Sequence, residues 1–548
     1  MNNTFKININ GKIVECTGKV KIIDLIEGDP HEYIIATVNN RLRELTYEVY
    51  YDAEVKLYTV KDYLAIKPYE TSLRFIISMA CSRAFPNHKI KFSYNISRSI
   101  YISILENKKP FTSEEFKLLK KTMDDIIKAD YPIVRKIMTN EEAEKFYREK
   151  GLEDKIGILK YRPEKTVHFH ECDGYLNYMY GQVVPSTGHI KFYRLRQFGN
   201  GIIVQYPRSE ENGNIPPFEE APVYGSTLKE SYNWSKMVKC DSIAAINRHV
   251  ENDGAIDFIN LCEQHHNNML ADLGKQIKQN SDSIRLICVA GPSSSGKTTF
   301  ANRLRIELLS IGIKTIRISI DDYYLEKKDI PLDENGNVDL ECLEALDVAL
   351  FNENMLDLIN GQEVTLPHFD FQKGYRVPGR TIKLEPDEII IIEGIHALNE
   401  KLTSLIAKHQ KFKIFIAPQA QINLDNHNPI SLTDLRLLRR IVRDFQFRNA
   451  SAEETMEMWP SVRKGEFKWI YKTQENADYV FNSLLPYELC VMKTFALPLL
   501  KKIDYNSPHY ILANRLVKFL KYFVDLDTKW IPCNSILREF VGGSCFDV

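Results

Sequence analysis

The segment Gly291-Pro-Ser-Ser-Ser-Gly296-Lys297-Thr298 constrains the fold of this chain more than any other feature of its sequence. It fits the spacing G-x-x-x-x-G-K-[ST], and it lies between an apolar strand pattern (IRLICVA) and a helical pattern (TTFANRLRIELLSIG). The glycines let the backbone turn so that successive N–H groups point inward, and the following helix adds partial positive charge. A strand, this loop and a helix together predict a phosphate-binding P-loop in an α/β domain.

The same loop predicts the nucleotide site. Lys297 is placed to bridge the β- and γ-phosphates of ATP, and Thr298 to offer its hydroxyl to Mg²⁺. We therefore predict ATP and Mg²⁺ as the cofactors, with a glycine-rich turn that binds no ligand as the alternative. The predicted nucleotide-binding residues of the loop and the first helical turn are Gly291, Ser293, Ser294, Ser295, Gly296, Lys297, Thr298 and Thr299.

The chain after residue 283 alternates between strand and helix patterns. Examples are KTIRISI, VALFNENMLDLING, EIIIIEG and KFKIFIA. Continuous apolar strands between amphipathic helices predict a parallel sheet that is covered on both faces. In such a sheet the carboxyl ends of the strands face the ligand crevice.

Two carboxylates stand at such strand ends. Asp321 follows KTIRISI, and we predict that it accepts the proton of an attacking hydroxyl group and helps to hold Mg²⁺. Glu393 follows four consecutive isoleucines, where a charge is costly without a partner, so we predict that it binds Mg²⁺. The alternative for Asp321 is a helix N-cap or a solvated acid, and the alternative for Glu393 is an acid that caps the following turn.

Arginines recur at helical spacing near the end of this region. Arg436, Arg439, Arg440 and Arg443 form one basic stripe, and Arg448 follows just beyond it. Such a stripe favours a lid that closes over phosphates and stabilises the charge in transfer. A solvated helix face is the alternative.

Residues 284 to about 485 resemble the uridine kinase and phosphoribulokinase branch of P-loop kinases. Six blocks carry the resemblance in order: GPSSSGKTT, DDYY, LECLEALD, LPHFDFQKGYR, IIIIEGIHAL and RRIVRDFQFR. The resemblance implies transfer of phosphate from ATP to the 5′-hydroxyl of a nucleoside, with Asp321 as the catalytic base. The other catalytic residues in this interpretation are Lys297 and Arg443. The residues that would hold Mg²⁺ are Thr298, Glu393 and Asp321, and those that would contact phosphates are Arg439, Arg440 and Arg443.

The same resemblance implies a nucleoside site. Tyr324 would lie near the nucleoside, and Glu341 would bind the ribose hydroxyls, with Asp339 as the alternative. The remaining predicted substrate-binding residues are Phe369, Asp370, Arg376 and Arg448.

The block at 369–376 departs from the family pattern. The family's Y-D-F-x-x-H-S-R reads FDFQKGYR here, so Phe369 and Gly374 replace the tyrosine and the histidine that read a pyrimidine base. Loss of a polar recognition group relaxes or changes discrimination, so the preferred base stays open. A phosphorylated sugar is the alternative acceptor, for which Lys373 and Arg376 would supply charge.

The N-terminal half resembles parts of threonyl-tRNA synthetases. Residues 1–60, with strand patterns around an Asn10-Gly11 turn, resemble the β-grasp TGS domain. Residues 61–225 resemble the editing domain that hydrolyses mischarged seryl-tRNA, on TSLRFIISMACSRAFP and VVPSTGHIKFYRL. The positions of that domain's His-x-x-x-His pair and of its Cys and His hold Thr71, Phe75, Met179 and Val183. We predict that this unit is not an editing hydrolase of the usual kind.

Three further segments of this half have strand patterns. IGILKY (156–161), TVHFHEC (166–172) and HIKFYRLRQF (189–198) are predicted strands. In the second of them, His168, His170 and Cys172 alternate and would share one face. Zinc binding there is open, against the alternative of a packed strand face.

At 548 residues the chain is too long for one core, so we predict a multidomain protein. Its N-terminal half is predicted to be α+β and its C-terminal half an α/β P-loop kinase. The predicted regions are the TGS-like unit 1–60, the editing-like unit 61–225, a helical linker 226–282, the kinase 283–500 and a C-terminal extension 501–548.

Composition limits the partners and the compartment. Lys+Arg 72 and Asp+Glu 73 leave a net charge of −1, which gives no overall attraction to nucleic acid or membrane. The scattered cysteines form no CxxC pair and no apolar run suits a signal peptide or membrane helix, so we predict a cytoplasmic protein. The predicted partner is a small-molecule nucleoside, and a homo-oligomer stays open. The competing class is an RNA-binding regulator whose P-loop senses nucleotide, although net charge gives RNA no support.

Overall fold

A computed structural model gives the fold over residues 4–105, 109–252, 254–326, 328–332, 336, 338–370, 373–419 and 422–547. In these ranges three regions follow one another along the chain. They are a small sheet, a mixed α+β unit and a larger α/β region that carries the P-loop. None of the helices in the described ranges combines the length and the apolar composition that crossing a bilayer requires.

The N-terminal unit is a five-stranded sheet in the order β2-β1-β7-β4-β5. Alternate residues of its first strand point into the core, since Phe5, Ile7 and Ile9 are buried and their neighbours exposed. Positive φ angles at Asn10 (48°) and Gly11 (90°) form the predicted hairpin turn. The strands of this sheet are β1 (Thr4–Ile9), β2 (Lys12–Thr17), β4 (Tyr33–Val38), β5 (Arg41–Arg43) and β7 (Ala53–Thr59). Two further strands, β3 (Val20–Lys21) and β6 (Glu48–Val49), pair in a separate two-stranded sheet.

The second unit surrounds a long buried helix with two sheets, ordered β13-β14-β9-β8 and β10-β11-β12. A capping box between Thr112 and Glu115 starts its second helix. The elements are α1 (Tyr63–Ala84), β8 (Ile90–Asn95), β9 (Ser99–Ile104), α2 (Ser113–Ala129), β10 (Val134–Thr139), α3 (Asn140–Glu149), α4 (Glu153–Leu159), β11 (Thr166–Cys172), β12 (Tyr175–Tyr178), β13 (Arg194–Phe198) and β14 (Gly201–Gln205).

Two strand predictions in this unit are wrong in whole or in part. IGILKY lies largely in α4, because Glu153 and Asp154 favour a helix N-terminus and a short apolar run does not distinguish strand from helix. In HIKFYRLRQF only residues 194–198 form a strand, and a 3-10 turn over Thr187–His189 precedes it.

Three helices connect this unit to the P-loop region: α5 (Pro222–Met237), α6 (Ile243–Glu251) and α7 (Ala255–Gln279). Leu270, Leu273 and Ile277 of α7 belong to the same apolar core as Phe300 and Leu304 of the helix after the P-loop. Residues 226–282 therefore pack as a layer on the neighbouring domain and do not span solvent as a free linker would.

The C-terminal region is built on a parallel five-stranded sheet in the order β16-β19-β15-β20-β23, as the sequence predicts. Its central strands are buried along their whole length. The elements up to the fourth sheet strand are β15 (Leu286–Ala290), α8 (Lys297–Ser310), β16 (Thr315–Ser319), α9 (Val348–Ile359), β17 (Val364–Asp370), β18 (Tyr375–Ile382), β19 (Ile389–Glu393) and β20 (Lys411–Ala417). Those that follow are β21 (Asn423–Asp425), β22 (Asn428–Pro429), α10 (Leu432–Phe447), α11 (Ala452–Gly465), β23 (Tyr479–Asn482), α12 (Glu488–Leu500), α13 (Tyr510–Leu520) and α14 (Arg538–Val541).

Buried polar contacts join the two halves. Lys155 Nζ lies 3.1 Å from Oδ1 of Asp425, and both side chains are almost fully buried. Arg74 donates a hydrogen bond to Oδ1 of Asn428 at 3.1 Å. The hairpin β21–β22 thus anchors the parallel-sheet region to the second unit.

Candidate active site

The predicted phosphate-binding loop runs from the end of β15 to the start of α8. A Cβ on Gly291 would lie 2.0 Å from the carbonyl oxygen of Ile416 on β20, so no side chain fits there. Gly296 has φ +89°, a left-handed conformation that favours glycine, directly before Lys297 begins the helix. The two glycines therefore shape a loop whose amides and helix N-terminus are suited to an anion.

Glu393 and Thr298 meet at the carboxyl end of the central strands. The Thr298 hydroxyl lies 3.4 Å from Oε1 of Glu393, which also accepts a hydrogen bond from Arg317 at 3.2 Å. Burial raises the pKa of Glu393 to about 7, and the negative charge of Asp321 adds to that rise. Carboxylate and hydroxyl oxygens are ligands that suit Mg²⁺, and a buried carboxylate with a raised pKa is short of positive charge. These residues fit the predicted metal.

Asp321 lies at the same edge of the sheet, in the 3-10 turn Ile320–Tyr323 that follows β16. Burial raises the pKa of its carboxyl group, while the charges of Lys297 and Arg448 act in the opposite direction. A desolvated carboxylate flanked by two cations is suited to accept a proton from a hydroxyl group. The structure thus brings together the predicted base and the predicted P-loop lysine.

Glu341 is the third carboxylate at this site. Burial raises its pKa to about 7, and the nearby Arg440 opposes that rise. A Cβ on Gly465 would lie 2.5 Å from Cβ of Glu341, so α11 closes tightly over it. Asp339, the alternative residue for the ribose, accepts a hydrogen bond from the Glu341 amide at 3.1 Å and caps that turn.

Tyr324 lies between these carboxylates. Its hydroxyl donates to the carbonyl oxygen of Leu340 at 3.0 Å. Its pKa is raised first by burial and then by the charges of Asp321 and Glu341. The Phe369 ring centroid lies 5.8 Å from that of Tyr324. One cluster therefore contains the predicted catalytic base Asp321, the predicted ribose-binding residue Glu341, and Tyr324 and Phe369, which are predicted to contact the nucleoside.

The predicted arginine stripe on α10 is divided between the interior and the site. Arg439 is fully buried, with Nη2 2.6 Å from Oε2 of Glu488 and Nη1 3.3 Å from the carbonyl oxygen of Ser294. Arg436 is likewise paired with Glu466 in the interior. Arg439 therefore supports the loop backbone, which corrects its predicted role as a lid residue that closes over phosphates. The pairing explains the burial, because a buried guanidinium needs a carboxylate partner.

Arg440, Arg443 and Arg448 surround a single buried carboxylate, Asp444. Their nearest guanidinium nitrogens lie 3.2, 2.7 and 3.7 Å from its oxygens. Arg440 also donates to the hydroxyl of Ser293 in the P-loop at 2.8 Å. Repulsion from Arg443 lowers the pKa of Arg448 to about 10. Three cations with one counter-charge beside the loop are suited to a phosphate group.

The hairpin β17–β18 carries the predicted base-reading block. Phe369 is buried, whereas Phe371 and Gln372 lie outside the described residues. Gly374 has φ 77°, and its amide donates to the carbonyl oxygen of Asp370 at 2.7 Å. The turn therefore requires a residue that tolerates positive φ where the family pattern has histidine.

Two cations of this hairpin, Lys373 and Arg376, have acidic neighbours. Lys373 Nζ lies 3.1 Å from Oδ2 of Asp370, and Arg376 Nη1 lies 2.9 Å from Oδ2 of Asp347. Asp370 and Arg376 are predicted to bind substrate. Both lie in the hairpin, and each forms an ion pair there.

The C-terminal segment forms a wall of the loop that no local sequence pattern predicts. A Cβ on Gly296 would lie 2.5 Å from Cγ2 of Ile536, which is fully buried. Glu539 on α14 accepts a hydrogen bond from the amide of Thr299 at 3.0 Å, from 240 residues away along the chain. The segment ILREFVGGS carries no signal of this contact, because tertiary packing alone creates it.

The second unit contains a different kind of buried polar cluster. The four positions of the editing signature, Thr71, Phe75, Met179 and Val183, are all buried. Next to them, Glu70 accepts hydrogen bonds from the hydroxyls of Tyr94 and Tyr206 at 2.9 and 2.8 Å.

Two cations complete the surroundings of Glu70. Lys67 Nζ and Arg74 Nε lie 3.2 and 3.3 Å from its Oε1. Burial alone would raise the pKa of Glu70, but Lys67 and Arg74 outweigh it and bring the pKa to about 2. Hydrogen bonds and opposite charges therefore satisfy this carboxylate.

The strand-face histidines of β11 do not form a metal site. His170 Nε2 lies 3.2 Å from Oε1 of Glu44, and Cys172 is buried with its pKa raised to about 11. In the described ranges, His168, His170 and Cys172 do not form a group with the spacing expected of metal ligands.

Comparisons with known proteins agree on the C-terminal region. Residues 286–488 match the family described as Phosphoribulokinase / Uridine kinase family. A uridine kinase of Chloroflexus aurantiacus is 31% identical over 198 residues, which cover 36% of this chain and 85% of that protein. The inorganic pyrophosphatase TTM2 of Arabidopsis thaliana is 28% identical over 243 residues, 44% of this chain but only 30% of that longer protein. Among solved structures, one titled as a possible uridine kinase from Bacillus stearothermophilus is matched over 100% of its chain and 38% of this one, at 18% identity and a TM-score of 0.25.

Proposed function

This chain belongs to the phosphoribulokinase and uridine kinase family through residues 286–488, and we propose that it transfers the γ-phosphate of ATP to the 5′-hydroxyl of a nucleoside. Members of this family are ATP-dependent phosphotransferases. The observation that carries the proposal is the cluster of Asp321, Glu341 and Glu393 around the P-loop lysine. Each of these carboxyl groups has a raised pKa.

The proposed chemistry divides the three carboxylates by position. Asp321 follows a strand that ends at the crevice, and it takes the proton of the attacking hydroxyl group. Glu341 binds the ribose hydroxyls next to Tyr324. Lys297, Arg443 and the neighbouring arginines stabilise the negative charge of the phosphoryl group in transfer.

Thr298, Glu393 and Asp321 are the residues that would hold Mg²⁺. When bound, the ion neutralises phosphate charge and orients the nucleotide. The raised pKa of Glu393 supports this assignment, because a buried carboxylate gains most from a cation. The amides of the loop and the N-terminus of α8 would bind the phosphates of ATP.

The acceptor is more consistent with a nucleoside than with a phosphorylated sugar. A second phosphate would need cations that are free beside the acceptor site. Lys373 and Arg376, the two candidates, face Asp370 and Asp347 at 3.1 and 2.9 Å. Phe369 and Tyr324 instead offer aromatic surface of the kind that contacts a base.

The N-terminal half is proposed to be an accessory to the kinase. Its resemblance to TGS and editing domains stays a proposal, as do a cytoplasmic location and a homo-oligomer. The satisfied cluster around Glu70 and the buried positions Thr71, Phe75, Met179 and Val183 support a structural role over hydrolysis.

The test is ADP release by the full-length protein with Mg·ATP and a panel of acceptors. The panel contains uridine, cytidine, inosine, guanosine, adenosine and ribulose 5-phosphate, with Lys297→Ala as the blank. We expect turnover on at least one nucleoside. Turnover on ribulose 5-phosphate alone would reject the nucleoside, and ATP binding without turnover on any acceptor would favour an RNA-binding nucleotide sensor.

A further inference from the structure

Three side chains from separate elements converge where the N-terminal unit meets the second unit. His31 lies in a 3-10 turn over Pro30–Glu32, Asp130 caps the end of α2, and His189 ends the turn Thr187–His189. Their potential ligand atoms all lie within 4.8 Å of one another. Within the described ranges this is the group of His, Cys, Asp and Glu side chains that has such spacing.

His189 presents a buried nitrogen to this cluster. The residue is 2% exposed, and its Nε2 has no hydrogen-bond partner among the described residues. Its Nδ1 lies 2.9 Å from the hydroxyl of Ser186, which fixes the ring orientation. In the tautomer whose Nδ1–H donates to Ser186, Nε2 presents its lone pair to the cluster. A buried polar atom without a partner is costly, so it calls for a ligand.

His31 faces His189 with a ring-centroid distance of 4.5 Å. Its Nε2 lies 2.9 Å from Oδ2 of Asp130, and its Nδ1 lies 2.9 Å from Oδ1 of Asp29. Asp130 is held in turn, since its Oδ1 accepts a hydrogen bond from the amide of Gly188 at 2.9 Å. A carboxylate that orients the far nitrogen of an imidazole is the arrangement found behind histidine ligands of metals.

We propose that Nε2 of His31, Nε2 of His189 and a carboxylate oxygen of Asp130 bind one divalent transition-metal ion of the Zn²⁺ class. Two imidazoles and a carboxylate are a common ligand set for zinc, and water would complete the coordination. Metal–ligand distances of about 2.0–2.2 Å place the ligands of a tetrahedral site about 3.3 Å apart. The widest pair of ligand atoms, at most 4.8 Å apart, must therefore close by up to about 1.5 Å, which the partly exposed His31 and Asp130 side chains allow.

A protonated His31 between two carboxylates is the simpler interpretation of part of this cluster. It accounts for the contacts of His31 with Asp29 and Asp130, but it leaves Nε2 of His189 buried without a partner. A metal ion satisfies all three groups at once, because it replaces the proton on Nε2 of His31. The site would tie residues 30–32 of the N-terminal unit to two elements of the second unit, and it is independent of the proposed kinase function.

The test is a titration of full-length, metal-stripped protein with Co²⁺ and with Zn²⁺. The protein carries Cys533→Ser and Cys545→Ser, because these two cysteines are exposed and would compete for the metal. We expect one equivalent of Zn²⁺, and visible absorption bands of four-coordinate Co²⁺ that Zn²⁺ displaces. Asp130→Asn is expected to weaken binding at least about tenfold, and Asp29→Asn about 10–100-fold through the lost support of His31.

Matched variants separate ligation from folding. Asp130 has φ 50° and Asp173 has φ 45°, so asparagine suits both positions equally. Asp173→Asn, which removes a pair with Arg83, should bind the metal as the parent does. His31→Gln removes a proposed ligand and should weaken binding at least about tenfold. His88→Gln, which removes a pair with Glu115, is its control and should bind the metal as the parent does. Absence of stoichiometric Co²⁺ and Zn²⁺ binding, or equal affinity of the Asp130→Asn and Asp173→Asn proteins, would overturn the proposal.

Discussion

The kinase region and the second unit both bury acidic side chains among cations, but the two clusters differ in how far those acids are satisfied. Glu70 in the second unit has two cations and two tyrosine hydroxyls within 3.3 Å, and its pKa falls to about 2. In the kinase region Glu393 is also buried and Glu341 is half-buried, yet their pKa values rise to about 7. The first cluster is complete as it stands, whereas the second is short of positive charge.

The difference between the two clusters indicates which carboxylates are suited to bind a ligand. Structural ion pairs and catalytic groups both perturb pKa values, so a shift alone does not identify a site. The direction of the shift separates the two here. The partners of Glu70 outweigh the effect of burial on its pKa, whereas burial outweighs Arg317 beside Glu393 and the cations near Asp321 and Glu341. A Mg²⁺ ion and a substrate hydroxyl would supply what the second cluster lacks.

The largest expected effect is a loss of stability when the cluster around Glu70 is broken. Glu70→Gln removes the counter-charge from the buried Arg74 and the half-buried Lys67, and we expect it to lower the free energy of unfolding by about 3 kcal/mol. Denaturation in urea, monitored at the N-terminal half, measures this loss. Glu144→Gln removes an exposed pair with Arg148 and should cost less than about 0.5 kcal/mol. Unchanged stability of Glu70→Gln would show that the cluster is not structural.

The same variant has a defined pH dependence. The pKa of Glu70 is lowered on folding, so its stabilising contribution is present above the unfolded value of about 4.3. That contribution is lost as the pH falls towards about 2. The stability difference between wild type and Glu70→Gln should therefore narrow between these pH values. A difference that stays constant across this window would contradict the assignment.

Asp321→Asn tests the unsatisfied cluster. We expect kcat to fall at least about a hundredfold, or about 2.7 kcal/mol in activation free energy, because the base is lost. Steady-state ADP release measures it, and the urea midpoint should stay near that of wild type. The neighbouring Asp322, which pairs with His368, gives the control Asp322→Asn, for which we expect a change below about fivefold. Near-normal turnover by Asp321→Asn would remove this residue from the mechanism.

Glu539→Gln asks whether the C-terminal segment opposes the nucleotide. Removing a negative charge from the N-terminus of α8 should lower KM for ATP by about fivefold, or about 1 kcal/mol. Asp525→Asn removes an exposed charge from the same extension and should leave KM unchanged. A higher KM in Glu539→Gln would mean that Glu539 supports nucleotide binding.

The smallest effect concerns base discrimination. Phe369→Tyr restores a hydroxyl to the hairpin, and we expect it to change the ratio of kcat/KM between pyrimidine and purine nucleosides by less than about fivefold. The companion change at Gly374 is disfavoured, since that residue has φ 77°. Phe351→Tyr, at another buried ring that contacts Tyr323, is the control for added polarity. An identical change of this kcat/KM ratio in both variants would show that Phe369 does not contact the nucleoside base.

Local patterns predict much of the kinase region and less of the rest. The P-loop, the parallel sheet and the strand-end positions of Asp321 and Glu393 follow from motifs and strand order. Glu539 escapes prediction because its contact with Thr299 depends on the packing of a distant segment. The helix at IGILKY is not predicted because a short apolar run fits both helix and strand. The burial of Lys155 in that helix is not predicted either, because its partner Asp425 lies in the other half of the chain. The burial of Arg439 is not predicted because helical spacing does not show which face of α10 is covered by other elements.

The most direct test of phosphoryl transfer to a 5′-hydroxyl is identification of the product by phosphorus NMR. The nucleoside that turns over is incubated with Mg·ATP, in parallel with its 5′-deoxy analogue. We predict a nucleoside 5′-monophosphate from the first, and ADP release no higher than that of Lys297→Ala from the second. Phosphate on a ribose 2′- or 3′-hydroxyl, or equal ADP release with the 5′-deoxy analogue, would contradict the account.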